Sequence, residues 1–235
     1  MKRKKFIQTT ATVGLGTTLM PKMAFAEFSK KPSISIGFIG TGLRGQWLID
    51  LAAKRDDVHI PAICDIDEAM IKDTIKILQN NKKDLPEVYN KGEYDYQNLI
   101  KRIDLDAIII ATPWEWHAQM SIAAMKAGKH VGTEVPAALT VDECWSLVRT
   151  SEKTGKFCMI MENVCYRRDV MAVLNMVRDG MFGELLHLQG GYQHDLRDVK
   201  FNDGKQAYGG GVEFGEKGYS ESKWRTQHSI DRNGD

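Results

Sequence analysis

Three glycines and one acid carry the first chemical signal. Gly40, Gly42 and Gly45 have the spacing G-x-G-x-x-G within Gly40-Thr41-Gly42-Leu43-Arg44-Gly45. At that spacing Gly40 permits a tight turn, Gly42 lets the backbone approach a diphosphate, and Gly45 lets a helix pack close to the preceding strand. The free N–H groups and the dipole at that helix N-terminus favour phosphate. Asp65 stands 20 residues past Gly45, where an acid takes the hydroxyls of an adenosine ribose. An acid there repels a 2′-phosphate, so the pattern points to NAD rather than NADP. A bare structural turn would need the glycines but not Asp65.

Further polar groups recur at corresponding places along the chain. Ala111-Thr112-Pro113-Trp114-Glu115-Trp116-His117 follows an apolar run, Glu134-Val135-Pro136 follows the next, and Asn163 follows the one after. In doubly wound sheets, ligands sit beyond the carboxyl ends of the strands. Trp114, Glu115, Trp116 and His117 could line the nicotinamide-ribose side. Equally, the tryptophans could cover a helix end and His117 could be a capping or packing residue.

These groups need a scaffold, and hydrophobic periodicity supplies one. Ile34 to Ile39 and Val58 to Cys64 read as strands. Ala107 to Ala111 reads as a central strand buried on both faces, His130 to Gly132 as a short strand, and Phe157 to Met161 as another buried strand. Helices are expected from Gly42 to Lys54 (with Leu43, Trp47, Leu48 and Leu51 on one side), from Asp67 to Asn80 with Asp67 as N-cap, from Tyr94 to Lys101 and from Trp114 to Ala127. Two more are expected from Thr140 to Thr154, opened by a capping box to Glu143, and from Arg167 to Asp179. Strands alternating with helices indicate an α/β fold, a Rossmann doubly wound parallel sheet. From Leu185 to Tyr192 a strand is expected without a following helix, and the remainder is rich in glycine. That reads as the start of a truncated α+β substrate domain, because one strand and a loop cannot build an independent sheet. The expected division is residues 1–26, 27–163 and 164–235, the last incomplete.

Composition excludes some classes. Of 235 residues, 32 are basic and 31 acidic, a net charge of +1, so bulk charge drives no nucleic-acid binding. The four cysteines, Cys64, Cys144, Cys158 and Cys165, form no CxxC pair and fit no metal motif, so buried free thiols and no metal site are expected. Residues 1–26 read as an export signal: Lys2-Arg3-Lys4-Lys5 is a positive n-region, Thr10 to Met20 is a mostly apolar stretch, and Ala24-Phe25-Ala26 is a cleavage site. The apolar stretch is too short and too rich in threonine for a membrane span. Arg3-Lys4-Lys5-Phe6 resembles a twin-arginine signal with one arginine replaced, which leaves both that route and general secretion open. The expected location is periplasmic or outer-membrane-associated.

Taken together, the glycine motif, the A-T-P-x-x-x-H segment ending at His117 and the segment at Glu134 resemble the Gfo/Idh/MocA-type oxidoreductases. Dehydrogenases of that kind have E-K-P where this chain has Glu134-Val135-Pro136, and use the lysine as an acid/base. Val135 cannot move a proton. The chain is more similar to glycoside hydrolase family 109, the NAD-dependent α-N-acetylgalactosaminidases, which have E-V-P. Met161 to Asp169, Gly190 to Arg197, Phe214 to Lys217 and Trp224-Arg225-Thr226 also match.

That resemblance implies NAD contacts at Leu43, Arg44, Asp65, Trp114, Glu115, Trp116, His117, Glu134, Val135 and Asn163, and sugar contacts at Tyr192 and Arg225. Read as residues alone, Tyr192 could be a core aromatic, His194 a loop residue and Arg225 a surface partner of Trp224. The resemblance implies that hydride leaves C3 of the sugar to NAD. The C2 proton is then removed, the glycosidic oxygen is eliminated, water adds, and the hydride returns. The family's Tyr-Pro-Thr-His segment would fall beyond Asp235, so the catalytic residues are expected there and this chain is expected to be an inactive fragment. The partner implied is a glycan ending in N-acetylgalactosamine, with no nucleic acid and no membrane span; the sequence permits an oligomer without specifying one. The competing expectation is an exported NAD-dependent sugar dehydrogenase of the Gfo/Idh/MocA type.

Overall fold

A computed structural model of the protein describes residues 33–191 and 193. Six strands form one sheet: β1 Ile34–Ile39, β2 Val58–Cys64, β3 Glu87–Tyr89, β4 Ala107–Ile110, β5 His130–Thr133 and β6 Cys158–Ile160. Their order is β3-β2-β1-β4-β5-β6, and every pairing is parallel. The chain winds outward from β1 in one direction and from β4 in the other. The crevice between their carboxyl ends is therefore the switch point where a ligand fits.

Among the described residues, six α-helices connect and follow the strands: α1 Leu43–Ala53, α2 Glu68–Asn80, α3 Tyr96–Ile100, α4 Trp114–Lys126, α5 Val141–Thr154 and α6 Arg168–Arg178. Helices α1 and α2 cover one face, where Phe38, Ile49, Ile63, Ile71 and Leu78 pack together. Helices α3, α4 and α5 cover the other, over Leu99, Ile108, Ile110, Ala124 and Met125. Ile108 and Ile110 are fully buried, as a central strand requires.

The helix ends follow local chemistry. The Asp67 carboxylate accepts from the backbone N–H of Ala69 at 2.7 Å and caps α2. Thr140 and Glu143 make the expected capping box on α5, and Gly155, at φ +65°, ends that helix in the left-handed region.

The buried face of α1 differs from the periodicity reading. Gly45, Ile49 and Ala53 are its buried residues, while Trp47 and Leu51 are exposed. The close approach demanded by Gly45 turns the helix, so Trp47 and Leu51 point away while Ile49 packs inward. Arg44 then lies over the Trp47 ring, 4.5 Å from its centroid.

Strand β6 is an edge among the described residues, and the segment read as a buried strand is largely exposed. Phe157 is 75 % exposed and Met159 48 %. The segment from Leu185 to Gly191 is not a strand, since no neighbour pairs with it among the described residues; Tyr192 lies outside them. All four cysteines are free, but only Cys64 is buried; Cys144 and Cys165 are exposed and Cys158 is intermediate. Strand β3, three residues long, has no sequence signal of its own. No helix among the described residues is long and apolar enough to cross a membrane.

Replacing Ile108 by Ala should cost about 2–5 kcal/mol, because the cavity forms between two layers of helices. Replacing Ile103, which is 98 % exposed, should shift stability by less than about 0.5 kcal/mol. Urea midpoints of the two variants measure the contrast.

Candidate functional site

The glycine loop is shaped by contacts that leave no room for side chains. Gly40 has φ +88°, and a Cβ there would lie 2.6 Å from the Ala111 carbonyl carbon. A Cβ on Gly45 would lie 2.0 Å from the Gly40 carbonyl oxygen. Gly42 is different: a Cβ there meets no protein atom within 4 Å, yet Gly42 lines the crevice. A side chain at Gly42 would fill only the space a ligand needs. Gly40 and Gly45 thus shape the turn, and Gly42 is the open floor of a phosphate cradle.

Asp65 locks this loop to the end of β2. Its Oδ2 accepts from the backbone N–H of Thr41 at 2.5 Å and from the Thr41 hydroxyl at 3.0 Å. Its Oδ1 accepts from the backbone N–H of Asp67 at 2.9 Å. An ionised carboxylate has about four acceptor positions, so three donors leave one for a ribose hydroxyl.

The crevice above these groups has a volume of about 640 Å³. Gly40, Gly42, Leu43, Arg44 and Asp65 line one part of it, and Trp114, Trp116 and His117 line its wall after β4. Glu134 and Val135, after β5, close the far end. Arg44 Nε donates to Glu134 Oε1 at 2.6 Å, so an ion pair spans from the start of α1 to the end of β5. The second Glu134 oxygen accepts from the Val135 N–H at 3.2 Å. The Trp116 ring packs edge-on against Tyr94 and Tyr96, at 5.6 and 6.3 Å between centroids. Both tyrosines follow β3, on the Asp65 side.

His117 is 1 % exposed, with both ring nitrogens within hydrogen-bond distance of backbone carbonyls. Gly45, Glu115 and Asn163 are not among the residues lining the crevice. Gly45 acts from behind the loop, Glu115 is exposed on the first turn of α4, and Asn163 precedes a 3-10 turn, Val164–Tyr166, past β6. Tyr192, His194 and Arg225 lie outside the described residues.

Sequence reasoning missed Ile66, Asp67, Met70, Gly92, Glu93 and Met120 as lining residues. Ile66 and Asp67 follow Asp65 directly, so the end of β2 was a signal for them. Gly92 and Glu93 depend on β3, which carries no signal. Cys64 also lines the crevice, but burial, and then the charges of Asp65 and Asp95, push its thiol up to about 12. It holds its proton at neutral pH and is no nucleophile.

Residues 34–162 match the family described as the oxidoreductase family with an NAD-binding Rossmann fold. The chain belongs to that family. Residues 166–235 of this oxidoreductase-family chain match the C-terminal domain of glycosyl hydrolase 109. A glycosyl hydrolase family 109 protein of Stenotrophomonas maltophilia is 47 % identical over 239 residues, covering 100 % of the chain and 52 % of the relative. An alpha-N-acetylgalactosaminidase of Tannerella forsythia is 50 % identical over 220 residues, covering 89 % and 47 %. The chain thus spans about half the length of the curated relatives it matches.

Among solved structures, scyllo-inositol dehydrogenase from Lactobacillus casei superposes with a TM-score of 0.57 at 20 % identity, covering 66 % of the chain and 44 % of that protein. Myo-inositol dehydrogenase from Lactobacillus casei, in complex with NAD(H) and myo-inositol, gives 0.57 at 22 %, covering 64 % and 43 %. At these identities the likeness establishes the fold.

Gly42→Ala should leave the melting temperature unchanged and weaken NAD binding at least about tenfold, equivalent to about 1.4 kcal/mol. Gly45→Ala should lower the melting temperature itself. Calorimetric titration beside thermal melts separates the two. In the native protein at pH 8, iodoacetamide should label Cys144 and spare Cys64, as read by peptide mass; equal labelling would contradict the raised Cys64 thiol.

Proposed function

We propose that the complete protein is an exported glycosidase that removes terminal α-N-acetylgalactosamine, with NAD held in the crevice described above. The feature that carries this reading is Val135 at the far end of an NAD crevice. It lines the crevice at the position where the dehydrogenases that the sequence resembles carry the lysine of E-K-P, and a valine neither takes nor gives a proton. The names of the half-matched relatives from Stenotrophomonas maltophilia and Tannerella forsythia support the same reading.

The residues present fit the cofactor. The open floor at Gly42 and the N-terminus of α1 would hold the diphosphate, with Leu43 and Arg44 lining the crevice beside them. Asp65 keeps one acceptor position for the adenosine ribose. Glu93, Trp116, Glu134 and Val135 line the same crevice and would border the bound dinucleotide. When bound, NAD would supply a reversible hydride acceptor for C3 of the sugar, which would acidify C2 and allow elimination and water addition without net redox change. The chain's own part is to hold and orient. Val135 brings no competing proton donor, and the buried Glu134 is kept in place by Arg44. The sugar contacts are proposed at Tyr192 and Arg225. Export is proposed through residues 1–26, with a periplasmic or outer-membrane-associated destination, since a cofactor restored in each cycle needs no cytosolic supply.

The complete protein should release p-nitrophenol from p-nitrophenyl α-N-acetylgalactosaminide without accumulating NADH, and should exchange the C2 hydrogen with solvent. Release with neither C2 exchange nor a C2 deuterium isotope effect would sink the elimination route. Stoichiometric NADH accumulation with free sugar would point instead to an exported sugar dehydrogenase.

A further inference from the structure

The loop after β3 brings a second acid to the crevice. Glu93 is exposed and lines the same space as Asp65. No hydrogen bond or ion pair engages its side chain among the described residues. The loop that carries it is nevertheless fixed. The Asp95 carboxylate, 7 % exposed as a residue, accepts from the backbone N–H of Lys91 at 2.9 Å and from the Asn98 side-chain amide at 2.8 Å. The Asp95 N–H donates to the Gly92 carbonyl at 3.1 Å. Tyr94, next in the chain after Glu93, packs edge-on against Trp116.

Sheet order puts this loop on the Asp65 side. Strand β3 pairs with β2, with Tyr89 opposite Cys64, and the Asp65 N–H donates to the Tyr89 carbonyl at 3.2 Å. Glu134 and Val135 follow β5, which is separated from β3 by β2, β1 and β4. The two acids on the near side differ in what they are free to do. Asp65 already accepts from Thr41 twice and from Asp67 once, so the chain's own donors offset part of its charge. Glu93 has no such donors. Arg44 is the only lysine or arginine lining the crevice among the described residues, and its Nε is bound to Glu134. A ribose 2′-hydroxyl is neutral, whereas a 2′-phosphate brings about two negative charges. Sites that accept that phosphate place an arginine beside it. We propose that Glu93 is a specificity-determining residue that keeps NADP out of the crevice, while Asp65 acts chiefly as the lock of the glycine loop. This rests on the reading of the crevice as a dinucleotide site and sharpens which dinucleotide it takes.

The test is calorimetric titration of oxidised NAD and NADP into the complete, nucleotide-free protein. The wild type should bind NAD the more tightly; equal affinities would overturn the exclusion and leave the dinucleotide site standing. Glu93→Gln should lower the Kd for NADP at least about tenfold and move the Kd for NAD by less than about threefold. An unchanged NADP affinity would overturn the proposal. The gain should shrink as salt is raised, because salt screens the charge that the wild type presents; a gain insensitive to salt would overturn its electrostatic origin. Asp84→Asn removes one exposed acid on the amino side of β3 and should change neither Kd. The same shift there would assign the effect to net charge and overturn the role of Glu93. Asp65→Asn should instead weaken both nucleotides, because it disturbs the hydrogen bonds to Thr41 and Asp67. A gain in NADP affinity there would return the selectivity to Asp65. If the wild type binds neither nucleotide, the reading of the crevice itself fails and the proposal falls with it.

Discussion

The approach of α1 to the end of β1 governs the rest of this site. A hydrogen atom is all that fits between the Gly45 Cα and the Gly40 carbonyl, and Gly40 itself presses on the backbone at Ala111. That contact brings the helix N-terminus to the switch point of the sheet, between β1 and β4. It also dictates which side of α1 faces inward, and so leaves Trp47 outside to meet Arg44. Arg44 in turn reaches Glu134, a residue 90 positions away, across the crevice. One steric constraint thus aligns the phosphate floor, the first turn of α1 and the far end of the pocket.

Around that contact, the pocket is held by polar links between the loops that follow different strands. Asp65 ties the end of β2 to Thr41 of the glycine loop. Glu134 ties the end of β5 to the start of α1. His117 ties the loops after β4 and β5 to each other. Loops at strand ends have few apolar contacts, so hydrogen bonds of this kind do the positioning that burial does within the sheet. Groups arranged in advance lose less freedom on binding a ligand.

Part of this was legible in the residues. Ile34 to Ile39 and Val58 to Cys64 are alternating or continuous apolar runs between turn residues, and they are strands with those same limits. Asp67 and the pair Thr140 and Glu143 announce helix starts, because a cap is a local hydrogen bond that depends on neighbours in sequence. Strand β3 was not legible. Three residues with one clear apolar position are a strand only because β2 offers its edge. The lining residues Gly92 and Glu93 were hidden for the same reason. Phe157 to Met161 has the apolar character of a buried strand, yet its exposure depends on what lies beside it.

What the sequence determined by itself is what spacing alone can encode: the glycine turn, the acid at the next strand end, the alternation of strands and helices, and the valine at position 135. These are local or periodic, and their physical meaning travels with the residues. The tertiary structure decided which side of α1 is buried, that Asp65 anchors its own loop with three bonds, that Asn163 and Glu115 stand apart from the crevice, and that His117 faces two carbonyls. Each of these depends on groups that are distant in sequence or that face a partner no periodicity reveals. The glycine motif announces a dinucleotide; the packing around Gly45 and Asp65 is what turns it into a shaped site.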